Sequence, residues 1–147
     1  MKQQLTEQER FDLMIYRLQR AHETMKEALV MSRESFYNAA VNRLYYACYY
    51  AAIALLIKNE IQPQTHNGVK TMLGLHFVSK GKLSREHGNT FNTLFEKRQS
   101  GDYDDFIYND KETIDELYPQ AEAFIQAVEE LINPKEYFPM DKGNMSK

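Results

Sequence analysis

The chain has 147 residues, of which 43% are hydrophobic and 27% are charged, and its net charge is -3. This length fits one domain with a single core. The slightly negative charge excludes the strongly basic composition of proteins that bind nucleic acid over a broad surface, so any contact with RNA or a nucleotide must be local.

The cysteine content and the hydropathy indicate the compartment. The single cysteine, Cys48, lies in an apolar run, which excludes a disulfide within the chain and favours a buried thiol. No signal peptide is recognisable at the N-terminus. The longest uncharged apolar stretch, residues 44–57, is shorter than the about 20 residues that cross a bilayer. We therefore expect a soluble cytoplasmic protein without a membrane partner.

Two long helices are predicted first. Residues 7–31 have a capping-box pattern at their start and apolar residues at spacings of three and four, so one stripe is buried. The opposite face, which includes Arg17 and Arg20, is predicted to face water. Residues 35–59 are apolar nearly all round after Leu44, as in a central helix. Four tyrosines stand on this helix in two i, i+4 pairs, and each needs a hydroxyl partner when buried: Tyr45, Tyr46, Tyr49 and Tyr50.

Three further helices follow, with no convincing strand. Residues 66–79 form the third, with Thr65 as its N-cap, and residues 84–99 form the fourth. The fifth covers residues 111–132, because its apolar register continues through Pro119, where a kink is predicted.

Long amphipathic helices joined by short connections pack antiparallel. The pattern thus predicts an all-α, five-helix antiparallel up-and-down bundle, in which the first, second and fifth helices are long and the third and fourth are shorter. Residues 1–133 form this single domain. Residues 134–147 lack periodicity and are predicted to be a disordered tail.

Four stretches, in this order and spacing, resemble the HEPN family, in particular its small stand-alone members in bacteria and archaea. The stretches are Asn42-Arg43-Leu-Tyr-Tyr-Ala-Cys-Tyr, Thr65-His-Asn-Gly-Val, Phe77-Val-Ser-Lys-Gly-Lys-Leu and Phe95-Glu-Lys-Arg-Gln-Ser-Gly-Asp-Tyr-Asp-Asp-Phe. The resemblance covers residues 13–131. It implies a HEPN-type helical domain associated with nucleotides and RNA, commonly a homodimer, in which many members are metal-independent endoribonucleases. It also implies a small nucleotidyltransferase as partner protein, as in toxin–antitoxin pairs.

The endoribonuclease motif of that family is an arginine followed, after four to six residues, by a histidine, and the two copies face each other across the dimer. Arg98 matches the arginine, whose fixed cation would hold the scissile phosphate. Tyr103 stands where the histidine is expected. Tyrosine has a pKa of about 10 and is a poor general base at neutral pH. We therefore expect ligand binding without standard RNase activity. The alternative is an endoribonuclease with Arg98 and Tyr103, or His66, as catalytic residues.

The loop predicted at residues 100–110 is acidic and aromatic. Asp102 in this loop either pairs with Arg98 or contributes to ligand binding. For Arg43 and its neighbour Asn42, a structural role and a role in ligand binding are likewise both open. Arg43 either pairs with a carboxylate of this loop, or lines one groove with Arg98.

In the groove interpretation, Tyr46 would offer a stacking face or a hydroxyl. His66 at a helix start either takes part in anion binding or makes a local hydrogen bond. Five basic residues either attract a phosphate backbone or form a solvated face: Lys80, Lys82, Arg85, Lys97 and Arg98.

The four histidines form no i, i+4 pair, and no Glu-x-x-His motif occurs, so we expect no metal and no cofactor. The resemblance, with the motif histidine missing, implies a dimeric HEPN-type binding module for a nucleotide or RNA, with DNA not expected as a ligand. A third hypothesis is a non-catalytic dimerising scaffold.

Overall fold

The computed structural model describes residues 4–103 and 108–132, with side chains for residues 4–98 and 108–132. Within these ranges the protein has five α-helices, one π-helical segment and no strand, which confirms the predicted all-α bundle. The helices are α1 Glu7–Arg33, α2 Tyr37–Lys58, α3 His66–Leu73, α4 Arg85–Tyr103 and α5 Lys111–Ile132, and the π-helical segment is Gly74–Val78.

Local hydrogen bonds define both ends of α1. Thr6 Oγ1 accepts from Glu9 N at 3.0 Å and Glu9 Oε1 accepts from Thr6 N at 2.8 Å, which is the predicted capping box. At the other end, Ser35 has a φ of 65°, and Phe36 N donates to Met31 O at 2.8 Å. This is a Schellman motif closed by a residue other than glycine. It ends α1 two residues beyond the predicted boundary and turns the chain directly into α2.

The centre of the bundle is α2, which packs against α1, α4 and α5. Its buried residues include Leu44, Tyr45 and Cys48, each with none of its surface exposed. Among the described helices, α2 alone has the length and hydropathy of a membrane span, but 61% of that stretch is buried inside the bundle. A helix buried on most sides is typical of a core helix.

The third predicted helix, residues 66–79, divides into α3 and the π-helical segment at Gly74. Thr65 caps α3 as predicted, because its Oγ1 accepts from Gly68 N at 2.9 Å. The chain then turns at Gly81, whose φ of 73° favours glycine. The π-helical widening leaves no mark in the apolar periodicity, so the sequence did not predict it.

The prediction of a loop beginning at residue 100 was wrong, because α4 continues to Tyr103. Gly101 costs a helix only about 1 kcal/mol relative to alanine, and no proline follows to stop the backbone hydrogen bonding. Residues 104–107 of that loop, and the tail predicted at residues 134–147, lie outside the described residues.

The predicted bounds of α5, residues 111–132, are confirmed. Asp110 caps it, with Oδ1 accepting from Thr113 N at 2.9 Å. Pro119 lies inside one helix, and buried residues continue on both sides of it, with Leu117 before and Ala121 after.

Candidate functional site

One side of α2 carries aromatic side chains that hold α3 in place. Tyr45 is fully buried, and its hydroxyl lies 2.8 Å from His66 Nδ1. The His66 ring stacks on Tyr49 with 4.3 Å between centroids and 21° between planes. His66 therefore contacts α2, an arrangement that the sequence interpretations of an anion contact, a local hydrogen bond or a catalytic role had not included.

Arg98 reaches the same aromatic side from α4. Its Nη2 donates to the Tyr46 hydroxyl at 3.1 Å. Its Cζ lies 5.7 Å from the Tyr45 ring centroid and 5.6 Å from that of Tyr46, within the range of cation–π attraction. The guanidinium is half-buried. The aromatic side of α2 therefore fixes the position of this cation.

Arg43 also approaches the Tyr46 ring, with Cζ 5.3 Å from its centroid. Its Nη2 donates to Asn42 Oδ1 at 2.8 Å, and its Nη1 lies 3.3 Å from Glu27 Oε1 on α1. Among the described residues the ion pair is thus with α1, and the side chains at positions 102, 104 and 105 of the acidic loop that the sequence had suggested lie outside the described residues. Arg43 and Arg98 both contact the Tyr46 ring.

Two arginines of α1 flank Tyr50, one helical turn beyond Tyr46. Arg17 Cζ lies 5.9 Å and Arg20 Cζ 5.5 Å from the Tyr50 ring centroid. Arg20 also pairs with Glu23 at 3.1 Å and with Glu27 at 3.7 Å.

The prediction that Arg17 and Arg20 face water was wrong, because both are half-buried. A single helix pattern identifies the central buried stripe but not the flank that a neighbouring helix covers. The i, i+4 tyrosine pairs of α2 were the available signal.

These residues form what we call the tyrosine–arginine cluster. Its members are Tyr45, Tyr46, Tyr49, Tyr50, His66, Arg17, Arg20, Arg43 and Arg98.

The cluster combines fixed cations with protonated hydroxyls. Burial raises the pKa of Tyr45 and of Tyr49 above the ordinary tyrosine value, so both hydroxyls stay protonated at neutral pH. Guanidinium groups remain charged at any physiological pH. The cluster is thus a local positive site with aromatic faces on a chain whose net charge is -3.

The other predicted site residues lie elsewhere. Tyr103 and Asp102 belong to the last turn of α4, but their side chains are outside the described residues. Of the predicted basic set, Lys80, Lys82 and Arg85 are exposed.

Within the part of the chain that the structure describes, Arg98 is the member of the basic set that joins the cluster. Lys82 instead lies over the Phe77 ring, with 5.9 Å between its Nζ and the centroid.

Comparison with known proteins adds a family and relatives. Residues 14–131 match the family described as HEPN domain, nearly the range over which the sequence resembled it. A UPF0332 protein of Thermotoga maritima is 34% identical over 117 residues, which are 80% of this chain and 89% of that protein. Two proteins of Methanocaldococcus jannaschii are both named as candidate toxins. One is 28% identical over 86% of this chain and 86% of its own length. The other is 30% identical over 76% of this chain and 83% of its own length.

Proposed function

Because this chain belongs to the HEPN domain family, as its sequence predicted, we propose that it is a binding module for a nucleotide or RNA. The ligand binds at the tyrosine–arginine cluster. One observation carries the proposal: Arg98 lies over two tyrosine rings and donates to the Tyr46 hydroxyl.

The chemistry of the cluster suits a phosphate next to a base. A guanidinium offers parallel N–H donors that match phosphate oxygens, and tyrosine rings accept bases by stacking. Arg98 is already positioned by its contacts with Tyr45 and Tyr46, so little side-chain entropy is lost when the ligand binds.

The proposal assigns no standard RNase activity, because Tyr103 replaces the histidine of the family motif. Asn42 supports the site through its hydrogen bond to Arg43. The roles of Asp102 and Tyr103 remain part of this proposal, since both follow Arg98 on the same helix.

A biological setting follows from the relatives. Two of them are named as candidate toxins, which supports a toxin–antitoxin role for this chain. We propose that it acts in the cytoplasm, with a small nucleotidyltransferase as the partner protein that the family resemblance implies. We also propose a homodimer that brings two copies of Arg98 towards one ligand. Light scattering of the purified chain tests for this dimer, whose expected mass is twice the 17.3 kDa of one chain.

Fluorescence anisotropy tests ligand binding, with labelled AMP and a labelled hexa-adenylate RNA as probes. Arg98→Gln should weaken the binding of both probes at least tenfold. Arg85→Gln is the matched control, because it removes the same charge from an exposed position at the start of α4. Absence of binding by the wild-type chain, or equal affinities for the two variants, would contradict the proposal and leave the scaffold hypothesis.

One observation favours a second candidate, a metal-independent endoribonuclease. His66 lies 2.8 Å from the Tyr45 hydroxyl, and Arg98 contacts the same tyrosine ring. An imidazole, the side chain that most often acts as a general base, therefore lies in the same cluster as the Arg98 guanidinium. Incubation of RNA with the purified chain in EDTA, with cleavage as the readout, distinguishes the enzyme from the binding module. Cleavage that is lost in both Arg98→Gln and His66→Gln supports the enzyme, and intact RNA rejects it.

A further inference from the structure

Arg17 is a half-buried cation with no ion pair among the described residues. Its Cζ lies 5.7 Å from the Tyr16 ring and 5.9 Å from the Tyr50 ring. Its Nε is shielded from solvent and has no hydrogen-bond partner in the described part of the chain. A shielded N–H group without a hydrogen bond is costly, and aromatic rings compensate it only in part.

Arg20, three residues later on α1, provides the contrast. It contacts the same Tyr50 ring but pairs with Glu23 at 3.1 Å and Glu27 at 3.7 Å. Of the two cations beside Tyr50, Arg17 is therefore the one whose charge no described carboxylate offsets.

Burial raises the pKa of Tyr49, and the positive charges of Arg17 and Arg98 both counteract that increase. The rings of Tyr46 and Tyr50 have centroids 6.1 Å apart and lie one turn apart on α2. Arg98 lies against the Tyr46 ring and Arg17 against the Tyr50 ring, so the two guanidinium groups contact neighbouring rings of α2.

We propose that Arg17 is a second phosphate-binding residue, so that the cluster binds a single-stranded RNA segment with at least two phosphates. One phosphate binds at Arg98 beside Tyr46, and the next binds at Arg17 beside Tyr50. The inference rests on the proposed function, because the first phosphate must occupy the Arg98 position.

A single strand fits this arrangement better than a duplex. Tyrosine faces placed along a row of cations allow successive unpaired bases to stack while the backbone follows the charges. The bases of a duplex are already stacked on each other and cannot use these faces. Tyr16, half-exposed at 51% beside Arg17, extends the row of aromatic faces at the α1 end.

The test compares Arg17→Gln with Arg33→Gln, which removes the same charge from an exposed position sixteen residues further along α1. The probes are AMP, with one phosphate, and a 5′-phosphorylated hexa-adenylate RNA. Arg17→Gln should weaken hexanucleotide binding about tenfold, a larger loss than for AMP, which has no second phosphate. The slope of log K against log salt for the hexanucleotide should fall by about 0.7, the value for one phosphate contact on a single strand.

Arg17→Lys keeps the positive charge and should therefore retain the slope of the wild-type chain. It also keeps the test valid if Arg17→Gln fails to fold, which thermal melting reveals. In that case the slope for Arg17→Lys is compared with that of the wild type. A slope smaller by about 0.7, the value for one lost phosphate contact, would overturn the inference.

The outcomes separate the two proposals. Equal hexanucleotide affinities in Arg17→Gln and Arg33→Gln, together with a loss in Arg98→Gln, overturn the second phosphate position and leave the proposed function intact. Equal losses of AMP and hexanucleotide binding in Arg17→Gln also overturn it, because both arginines would then hold one phosphate. If the wild-type chain binds neither AMP nor the hexanucleotide, the proposed function itself is rejected.

Discussion

At the scale of single residues, Tyr46 determines where two cations lie. Arg43 and Arg98 approach its ring to 5.3 and 5.6 Å, and its hydroxyl accepts from Arg98 Nη2. Each cation–π contact at a partly exposed site is worth about 0.5–1 kcal/mol. The hydroxyl adds direction, because a hydrogen bond at 3.1 Å fixes the rotation of the guanidinium plane.

Tyr46→Phe separates the hydroxyl from the ring. We expect RNA affinity to fall about three- to tenfold, because the net value of one hydrogen bond is about 0.5–1.5 kcal/mol and Arg98 becomes less well oriented. Anisotropy titration measures the change. Tyr37→Phe is the control, since it removes another α2 hydroxyl, which donates to Ser35 Oγ at 3.4 Å outside the cluster. The same affinity in both variants would exclude a positioning role for the Tyr46 hydroxyl.

Cys48 gives a second prediction at this scale. Burial raises the pKa of its thiol above the ordinary value, and Sγ lies 3.9 Å from Ala121 O inside the core. Because the thiolate is the reactive form, a disulfide reagent at pH 8 should leave the folded chain unlabelled and react fully in denaturant. Rapid labelling of the native chain would mean that α2 and α5 separate readily in solution.

At the scale of elements, the helices were largely predictable and their junctions were not. The bounds of α5 agree with the predicted residues because its cap and apolar register are both local in sequence. The end of α1 at Ser35 uses a positive φ without glycine, and nothing in the local sequence marks that conformation.

The site was predictable only in part, for a similar reason. Arg98 and Tyr46 are 52 residues apart in the chain, so their contact depends on how α4 crosses α2. The family motif identified Arg98. No pattern within α1 indicated that Arg17 leans towards Tyr50, because that contact is set by the tyrosines of the neighbouring helix.

The docking of α3 onto α2 depends strongly on His66. It stacks on Tyr49 and shares a hydrogen bond with Tyr45. Aromatic stacking and one hydrogen bond each contribute about 0.5–1.5 kcal/mol, so His66→Ala should lower the free energy of unfolding by about 1–3 kcal/mol in a urea titration. Asn67→Ala, at the exposed next position, is the control. A loss in His66→Ala no larger than in the control would mean that α3 is held by its apolar residues alone.

At the scale of the whole molecule, charge distribution should determine how binding responds to salt. The chain carries a net charge of -3, so attraction to a phosphate chain comes from the cluster and not from a basic surface. With two phosphates bound per site, the slope of log K against log salt for a hexa-adenylate RNA should be about -1.4, from about -0.7 per contact on a single strand. Titrations in a sodium chloride series measure it. Arg85→Gln should leave the slope unchanged, because Arg85 is exposed and makes no contact with the cluster among the described residues. A much steeper slope, reduced by Arg85→Gln, would indicate that the basic residues around the start of α4 bind the backbone, and the ligand would then follow a different path across the bundle.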